Sequence, residues 1–493
     1  MNQKEAFLAL DFGTSNVHVT LIDSATAEAI VGTNKKYRWY TPKSNEIELD
    51  AEEVWRASEQ AVSELLKRLP DGIHILAMTF SFFGDSITAV DKNGNALYPM
   101  LPGFCGRSGE EVEMMAREVG AQEYAKITGN TLSTLSSVSK ILWLKRNKPE
   151  VFQRAAGFYS NQQYVMHKLG FGNVQDTTLA ARKLAFDVKG GHWSEPLLEL
   201  MGISKEKLGT HIVESAATVG YIHAYGNVKL PYEIPVTIGC HDVSASLISA
   251  GVHPEHSDTM GVLMGTYEQI GYFSDIFVDG CNDFKDSLIF SCCYNSPFKG
   301  KYTVMDAFPT AGALLEWYCK NVLKDKKSDI GQLIASAKLD GKNPLFFLPY
   351  AENFHGAVLG MGLSTTLEEI FESLLESLAF QFVTCIDYIR STRKEPFSKI
   401  HFGGGGSRSD KLLKLRADLI QAPVGRMENI ELPSIGACML AGIGNGIYRD
   451  VDDAAAKMVK GVKYFEPRES NLKNYESKYK TYKKLSSAFL EVF

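Results

Sequence analysis

The chain opens on an apolar run, Leu8-Ala9-Leu10, that breaks at Asp11-Phe12-Gly13-Thr14-Ser15 and resumes at Val19, Leu21 and Ile22. Strand-like spacing interrupted by Gly-Thr predicts a β-hairpin from Leu8 to Asp23. The apolar run from Ile73 to Phe83 predicts a buried strand. Ala51 to Leu69 and Ser139 to Asn147 carry helical spacing, with Pro70 and Pro149 just past their ends, where a residue lacking a backbone N–H stops a helix. Ile234 to Gly239 reads as a strand ending on Cys240-His241-Asp242, and a small-residue helix follows from Val243 to Ala250. The opening pattern then restarts as Val262-Leu263-Met264-Gly265-Thr266-Tyr267-Glu268-Gln269-Ile270. Leu367 to Ile389 predicts a long helix with Ile370, Leu374, Leu375, Leu378 and Phe382 on its apolar face. Glu469 to Phe493 predicts a last helix packed on the surface.

The two copies of the strand–Gly-Thr–strand motif stand half a chain apart in 493 residues. That spacing predicts two similar domains, each presenting a tight turn to one shared ligand, and the length exceeds one ordinary core. The boundary is placed near residue 247, giving residues 1–247 and 248–493.

Composition changes this picture mainly by exclusion. The chain is 45% hydrophobic and 22% charged, the balance of a soluble globular protein, and its net charge of −6 argues against a general nucleic-acid partner. No apolar run approaches the ~20 residues that span a bilayer, and Met1-Asn2-Gln3-Lys4-Glu5 leads into the first strand without a secretory signal. Cys105, Cys240, Cys281, Cys292, Cys293, Cys319, Cys385 and Cys438 form no CxxC pair. Buried reduced thiols in a cytoplasmic protein are expected.

The chemistry starts at the turns. A glycine lets backbone N–H groups approach an anion and a threonine adds a hydroxyl, so two facing Gly-Thr turns suit a polyphosphate. Asp11 beside such a turn implies a divalent cation, Mg²⁺, held through water; an ordinary acidic turn would look the same. Lys399-Ile400-His401-Phe402 runs into Gly403-Gly404-Gly405-Gly406-Ser407, and Ser407-x-x-Asp410 predicts a capping box for the next helix. Neither the dinucleotide fingerprint nor GxxxxGK[ST] is present, so a glycine wall for a nucleotide remains. Asp242, ending a strand at the domain seam, is the candidate general base for phosphorylating an alcohol; capping the helix at Val243 is its alternative role.

These residues resemble the FGGY carbohydrate kinases of the actin-like ATPase superfamily, over nearly the whole chain. Ser137-x-x-Lys140-Ile141-x-Trp143-Leu144-x-Arg146-Asn147 is similar to the N-domain signature, with Leu135 out of pattern. Gly356-x-Val358-x-Gly360-Met361 with Glu369-Ile370 and residues 373–376 is similar to the second signature, with Leu374 out of pattern. Asp176-Thr177-Thr178 with Asp187 and Trp193, and Gly312-Ala313 with Glu316-Trp317, resemble two further stretches. The resemblance implies an α/β fold of two RNase H-like domains with a central cleft, and transfer of the γ-phosphoryl group of Mg-ATP to a ketose (pentulose or hexulose) or related polyol. It implies Gly13, Thr14, Ser15, Gly265 and Thr266 at the phosphates, with Gly312 and Glu316 on the helix beneath them. Gly404, Gly405 and Ser407 would line the adenosine pocket, Asp11 would organise the metal, and Asp242 would be the base. The sugar is expected between Asp242, His241, Asp85 and Arg107.

The sugar pocket departs from the family. Gly103 and Cys105 stand where an aromatic and an aspartate are common, Phe82-Phe83-Gly84-Asp85 replaces a more polar segment, and Gln163 replaces a frequent Asp. A less polar pocket follows, and His241-Asp242 is similar to the deoxyhexulose kinases. The partner implied is a small-molecule sugar, with no nucleic acid and no membrane; dimers are common in the family, which admits a homodimer. A sugar-independent actin- or chaperone-like ATPase and a non-catalytic sugar sensor share parts of this pattern.

Overall fold

The computed structural model of the protein describes residues 4–255, 258–265, 267–279, 290–308, 311–324, 329–349, 356–392, 397–429 and 431–492. In β1 (Lys4–Phe12) every side chain from Ala6 to Leu10 is buried, the mark of a strand covered on both faces. β2 (Asn16–Asp23) folds back on it antiparallel, with Phe12 opposite Val17, so the expected hairpin forms around residues 13–15. β3 (Ala29–Lys36), β4 (Ile73–Phe82), β5 (Thr218–Tyr225) and β6 (Val228–Thr237) complete a sheet of order β5-β6-β4-β1-β2-β3, and the short β7 (Cys240–His241) also pairs with β4.

A second sheet contains β8 (Thr259–Met264), β9 (Glu268–Ser274), β10 (Phe290–Asn295), β11 (Tyr302–Phe308), β12 (Lys399–Gly403), β13 (Val424–Met427) and β14 (Val462–Phe465). Its order is β10-β11-β9-β8-β12-β13-β14. The run β3-β2-β1-β4-β6-β5 matches β11-β9-β8-β12-β13-β14 neighbour for neighbour, including which pairs are parallel. The duplication first visible in two Gly-Thr turns therefore extends through both sheets, as in paired RNase H-like folds. Asp11 pairs with Ser81 on β4, and Leu263, two residues before Gly265 as Asp11 is before Gly13, pairs with Gly403 on β12.

Helices cover the sheets. α1 (Ala51–Lys67) is capped by Asp50, whose carboxylate accepts from the amides of Glu52 and Glu53, and it buries Val54, Trp55, Ala61, Val62 and Leu65. The other helices used below are α2 (Ser137–Asn147), α3 (Thr177–Arg182), α4 (Asp242–Ser249), α5 (Gly312–Trp317), α6 (Leu367–Thr392), α7 (Asp410–Ile420), α8 (Leu432–Gly444) and α9 (Glu469–Val492). α8 comes late in the chain yet packs on α4 and against β1 and β4 of the first sheet. Gly436 makes that crossing close: a Cβ there would lie 1.8 Å from the carbonyl oxygen of Ala245. Thr79 Oγ1 donates to the Ala437 carbonyl at 3.2 Å, and Tyr448 donates to the Ser24 carbonyl at 2.6 Å. α9 lies on α6, burying Tyr475 and Tyr482 beside Phe380.

One expected feature is displaced. The cap of α7 is Ser409, whose Oγ accepts from the Leu412 amide, and not Ser407. Gly405–Arg408 winds into a 3₁₀ turn, and Ser407 Oγ donates to the Gly404 carbonyl at 2.7 Å, which uses Ser407 to close that turn. The seven described cysteines are buried and form no disulfide among the described residues; Cys281 lies outside them. Among the described residues no helix is long and apolar enough to cross a membrane.

Candidate functional site

Two cavities lie on either side of α5. Gly312, Leu315 and Glu316 face the larger, of about 950 Å³, and Ala313, Leu314 and Trp317 face the smaller, of about 490 Å³. β9 is divided by its strand alternation in the same way: Glu268 lines the larger cavity and Gln269 the smaller.

The larger cavity is walled by glycine. Gly265, Gly405 and Gly406 line it, and Gly404 holds φ +85° with no room for a side chain, since a Cβ would meet the Met264 carbonyl oxygen at 2.8 Å. At Gly405 a Cβ would meet nothing within 4 Å and would project into open space. The floor is a buried ion pair, Arg416 Nη2 to Glu268 Oε2 at 2.5 Å. Bare backbone around a roomy cleft fits a flat, charged ligand such as a nucleotide. Thr266 lies outside the described residues; Gly265 N–H donates to the Tyr267 carbonyl at 2.9 Å, closing its turn much as Gly13 N–H closes the first by donating to Asn16 at 3.0 Å. Behind the first turn, Tyr37 donates to the Gly13 carbonyl and Trp39 Nε1 to that of Thr14, while Thr14 and Ser15 stay exposed and Thr14 reaches the smaller cavity.

The smaller cavity carries the reactive groups. Asp242, the first residue of α4, lines it; its Oδ1 accepts from the Val243 amide at 2.7 Å and lies 3.2 Å from His241 Nε2. Burial, then the negative charge of Asp11, push the Asp242 carboxyl up to about 8. Burial likewise raises Asp11 to about 6 against a hydrogen bond donated by Ser81 Oγ. Asp11 carries the charge that Asp242 feels, and a buried carboxylate so placed suits a divalent cation in its field. Among the described residues no cluster of three or more His, Cys, Asp or Glu forms. That donor set fits an ion whose shell is completed by phosphate and water.

Opposite Asp242, Asp85 sits at φ +57°, with its Oδ2 accepting from Arg182 Nη2 and its buried Oδ1 without a hydrogen-bond partner. Burial raises the Asp85 carboxyl and Arg182 lowers it. Arg182 also donates from Nη1 to Asn130 Oδ1 at 2.9 Å and lies 5.2 Å over the Tyr294 ring. Gly84 and Gly103 are required here: a Cβ on the first would meet His241 Nε2 at 2.7 Å, and on the second Asp85 Cβ at 2.6 Å. Phe83, Leu135, Met305, Leu314 and Trp317 make the rest of the lining largely apolar.

Arg107 is not in this lining. Its Nη1 meets Glu48 Oε1 at 2.8 Å, its Nε donates to Cys105 Sγ at 3.0 Å, and the guanidinium lies 4.7 Å over Trp143 on α2. Acidic, thiol and aromatic neighbours thus hold its Nη1, its Nε and its face, its buried Nη2 has no hydrogen-bond partner, and Arg182 is the cation that lines the cavity. Sequence reading missed Arg182, Asn130, Gln269 and Tyr294. The signal for Arg182 was its place four residues after Thr178 on α3, whose Oγ1 accepts from the His241 amide at 2.9 Å.

The family model for the N-terminal domain of the FGGY family of carbohydrate kinases matches residues 6–249, and that for its C-terminal domain matches residues 283–444. The chain is similar to the xylulose kinase of Lactococcus lactis, 24% identical over 493 residues, with 97% of this chain and 96% of that protein covered. It is similar to the L-fuculokinase of Escherichia coli at 24% over 487 residues, covering 94% and 98%. In fold it is similar to the gluconate kinase of Lactobacillus acidophilus, with TM-score 0.87, 20% identity and 99% and 98% of the two chains covered.

Proposed function

The chain belongs to the FGGY family of carbohydrate kinases, and we propose that it transfers the γ-phosphoryl group of ATP to a hydroxyl of a ketose (pentulose or hexulose) or related polyol. The smaller cavity takes the acceptor and the larger the nucleotide. In this reading residues 1–247 form the acceptor domain and residues 248–493 the nucleotide domain. The observation that carries it is Asp242, a carboxyl that lines the acceptor cavity and feels the charge of Asp11.

Gly13, Thr14, Ser15, Gly265 and Gly312 would hold phosphates; Glu316, Gly404, Gly405 and Ser407 would shape the rest of the nucleotide site, and Asp11 would hold Mg²⁺. Mg-ATP, when bound, supplies the transferred group and the positive charge that screens it. Asp242 then stands ionised and accepts the hydroxyl proton as the acceptor oxygen attacks. Asp85 Oδ1, the buried acceptor without a partner, takes a hydrogen bond from another acceptor hydroxyl, with Arg182 and Asn130 fixing its position. The apolar walls keep water from competing, and closure over the acceptor makes transfer depend on it. Seven buried cysteines that form no disulfide among the described residues support a reducing, cytoplasmic setting.

ADP release with Mg-ATP over a panel of pentuloses, hexuloses, polyols and aldonates tests the reading. Sugar-dependent release is expected, with Asp242→Asn retaining ATP binding and losing roughly 10²–10⁴-fold in kcat. Release without sugar would make the protein an ATPase, and near-normal turnover in the variant would remove Asp242 from the role.

A further inference from the structure

β10 is the edge strand of the second sheet, yet it is docked on residues of the first half: the Cys293 amide donates to the Gly129 carbonyl at 2.8 Å, and Asn295 Nδ2 to that of Val188 at 3.1 Å. Between these, Tyr294 is fully buried and brings its hydroxyl to 2.8 Å from His241 Nδ1. The rings meet edge to face, 5.4 Å apart. On the other side of the imidazole, Nε2 lies 3.2 Å from Asp242 Oδ1. Both ring nitrogens thus have protein partners, which leaves neither for a sugar hydroxyl.

We propose that His241 is a positioning residue for Asp242, and that Tyr294, supplied by the second sheet, sets its tautomer. The inference rests on the reading of Asp242 as the base. Its logic runs from both ends of the ring. An ionised carboxylate only accepts, so Nε2 must carry the proton. A neutral imidazole then has a bare Nδ1, and the Tyr294 hydroxyl must donate to it. Burial, helped by Arg182, holds the imidazole well below its usual range and hence neutral. Ser244 Oγ, 3.1 Å from the Tyr294 oxygen and 3.1 Å from Thr303 Oγ1, completes the hydroxyl network. With Oδ1 held by the Val243 amide and by His241, Oδ2 is the oxygen left for the acceptor proton. Without the tyrosine hydroxyl the ring is free to carry its proton on Nδ1, setting a lone pair against Asp242 Oδ1 and turning the carboxylate.

The test is a double-mutant cycle read by steady-state kinetics on the intact chain. Tyr294→Phe keeps the ring under Arg182 and removes only the donor; kcat is expected to fall about tenfold, the worth of about one neutral hydrogen bond, with KM for sugar and ATP unchanged. His241→Gln keeps an amide donor toward Asp242 and has no tautomer to set, so it retains most of kcat, whereas His241→Leu does not. In the His241→Gln background Tyr294→Phe should have no further effect. An equal loss in both backgrounds, or a rise in KM with kcat intact, overturns the relay. Normal turnover in Asp242→Asn overturns the base reading itself, and the two failures are thereby separate.

Discussion

Arg182→Met is the sharpest probe of the acceptor cavity, because the structure gives both a magnitude and a pH dependence. Wild-type Arg182 is 4% exposed, and its guanidinium neutralises Asp85, whose side chain is 9% exposed beside it. Without it, the folded state has no comparable partner for a carboxylate in that position, and Asp85 takes up a proton. Protonation caps the cost at about 1.4 kcal/mol per pH unit above the ordinary value of 3.8: about 4 kcal/mol at pH 7 and about 1.5 at pH 5. The sign follows from linkage. In the variant the folded pKa lies above the unfolded one, so the folded state binds the extra proton and stability falls as pH rises through that window. Burial already raises the wild-type carboxyl even with Arg182 in place, and the charge of Lys140 also acts on it, so these are upper bounds. The lost contacts to Asn130 and the Tyr294 ring add a roughly pH-independent 1–2 kcal/mol. Urea unfolding at pH 5, 6 and 7 should show a deficit that widens with pH, and Asp85→Asn in the same chain should remove the widening. A deficit equal at all three pH values refutes the reasoning.

Asp242, held up to about 8, is mostly protonated at pH 7 in the free protein. Binding of Mg-ATP there should release a proton, seen as a buffer-dependent calorimetric enthalpy that Asp242→Asn abolishes. Gly405→Val should raise the KM for ATP about tenfold or more with little change in thermal midpoint, because the added Cβ meets open cleft and no protein atom within 4 Å. Gly436→Ala should cost at least ~3 kcal/mol in unfolding experiments, since its methyl would overlap the Ala245 carbonyl and force α4 and α8 apart.

Much of this architecture is written locally. The alternation around Gly13 and Gly265 yields both hairpins, and the apolar spacing of 367–389 yields most of α6, because such patterns depend on neighbours in the chain. Asp11 and Asp242 could be picked out as candidates, each standing at the end of an apolar strand. The surroundings of Arg107 could not be read in this way: where its guanidinium points is set by Glu48, Cys105 and Trp143, only one of them within two residues of it. Tyr294 was not legible either, because the docking of its strand on Gly129 joins residues more than 160 positions apart. The cap of α7 moved because a 3₁₀ turn, invisible in composition, used Ser407 first.

The short helix α5 has a consequence for how such a protein can change. Its six residues are a party wall, with 313, 314 and 317 facing one tenant and 312, 315 and 316 the other. On the proposed function, a substitution that tilts or thickens the wall to admit a larger acceptor takes that room from the nucleotide, so variation there is answerable to both substrates at once. Met305 and Ala307 on β11 line the smaller cavity and not the larger. Those strand positions, not the helix, are where acceptor preference can drift while the donor site stays as it is.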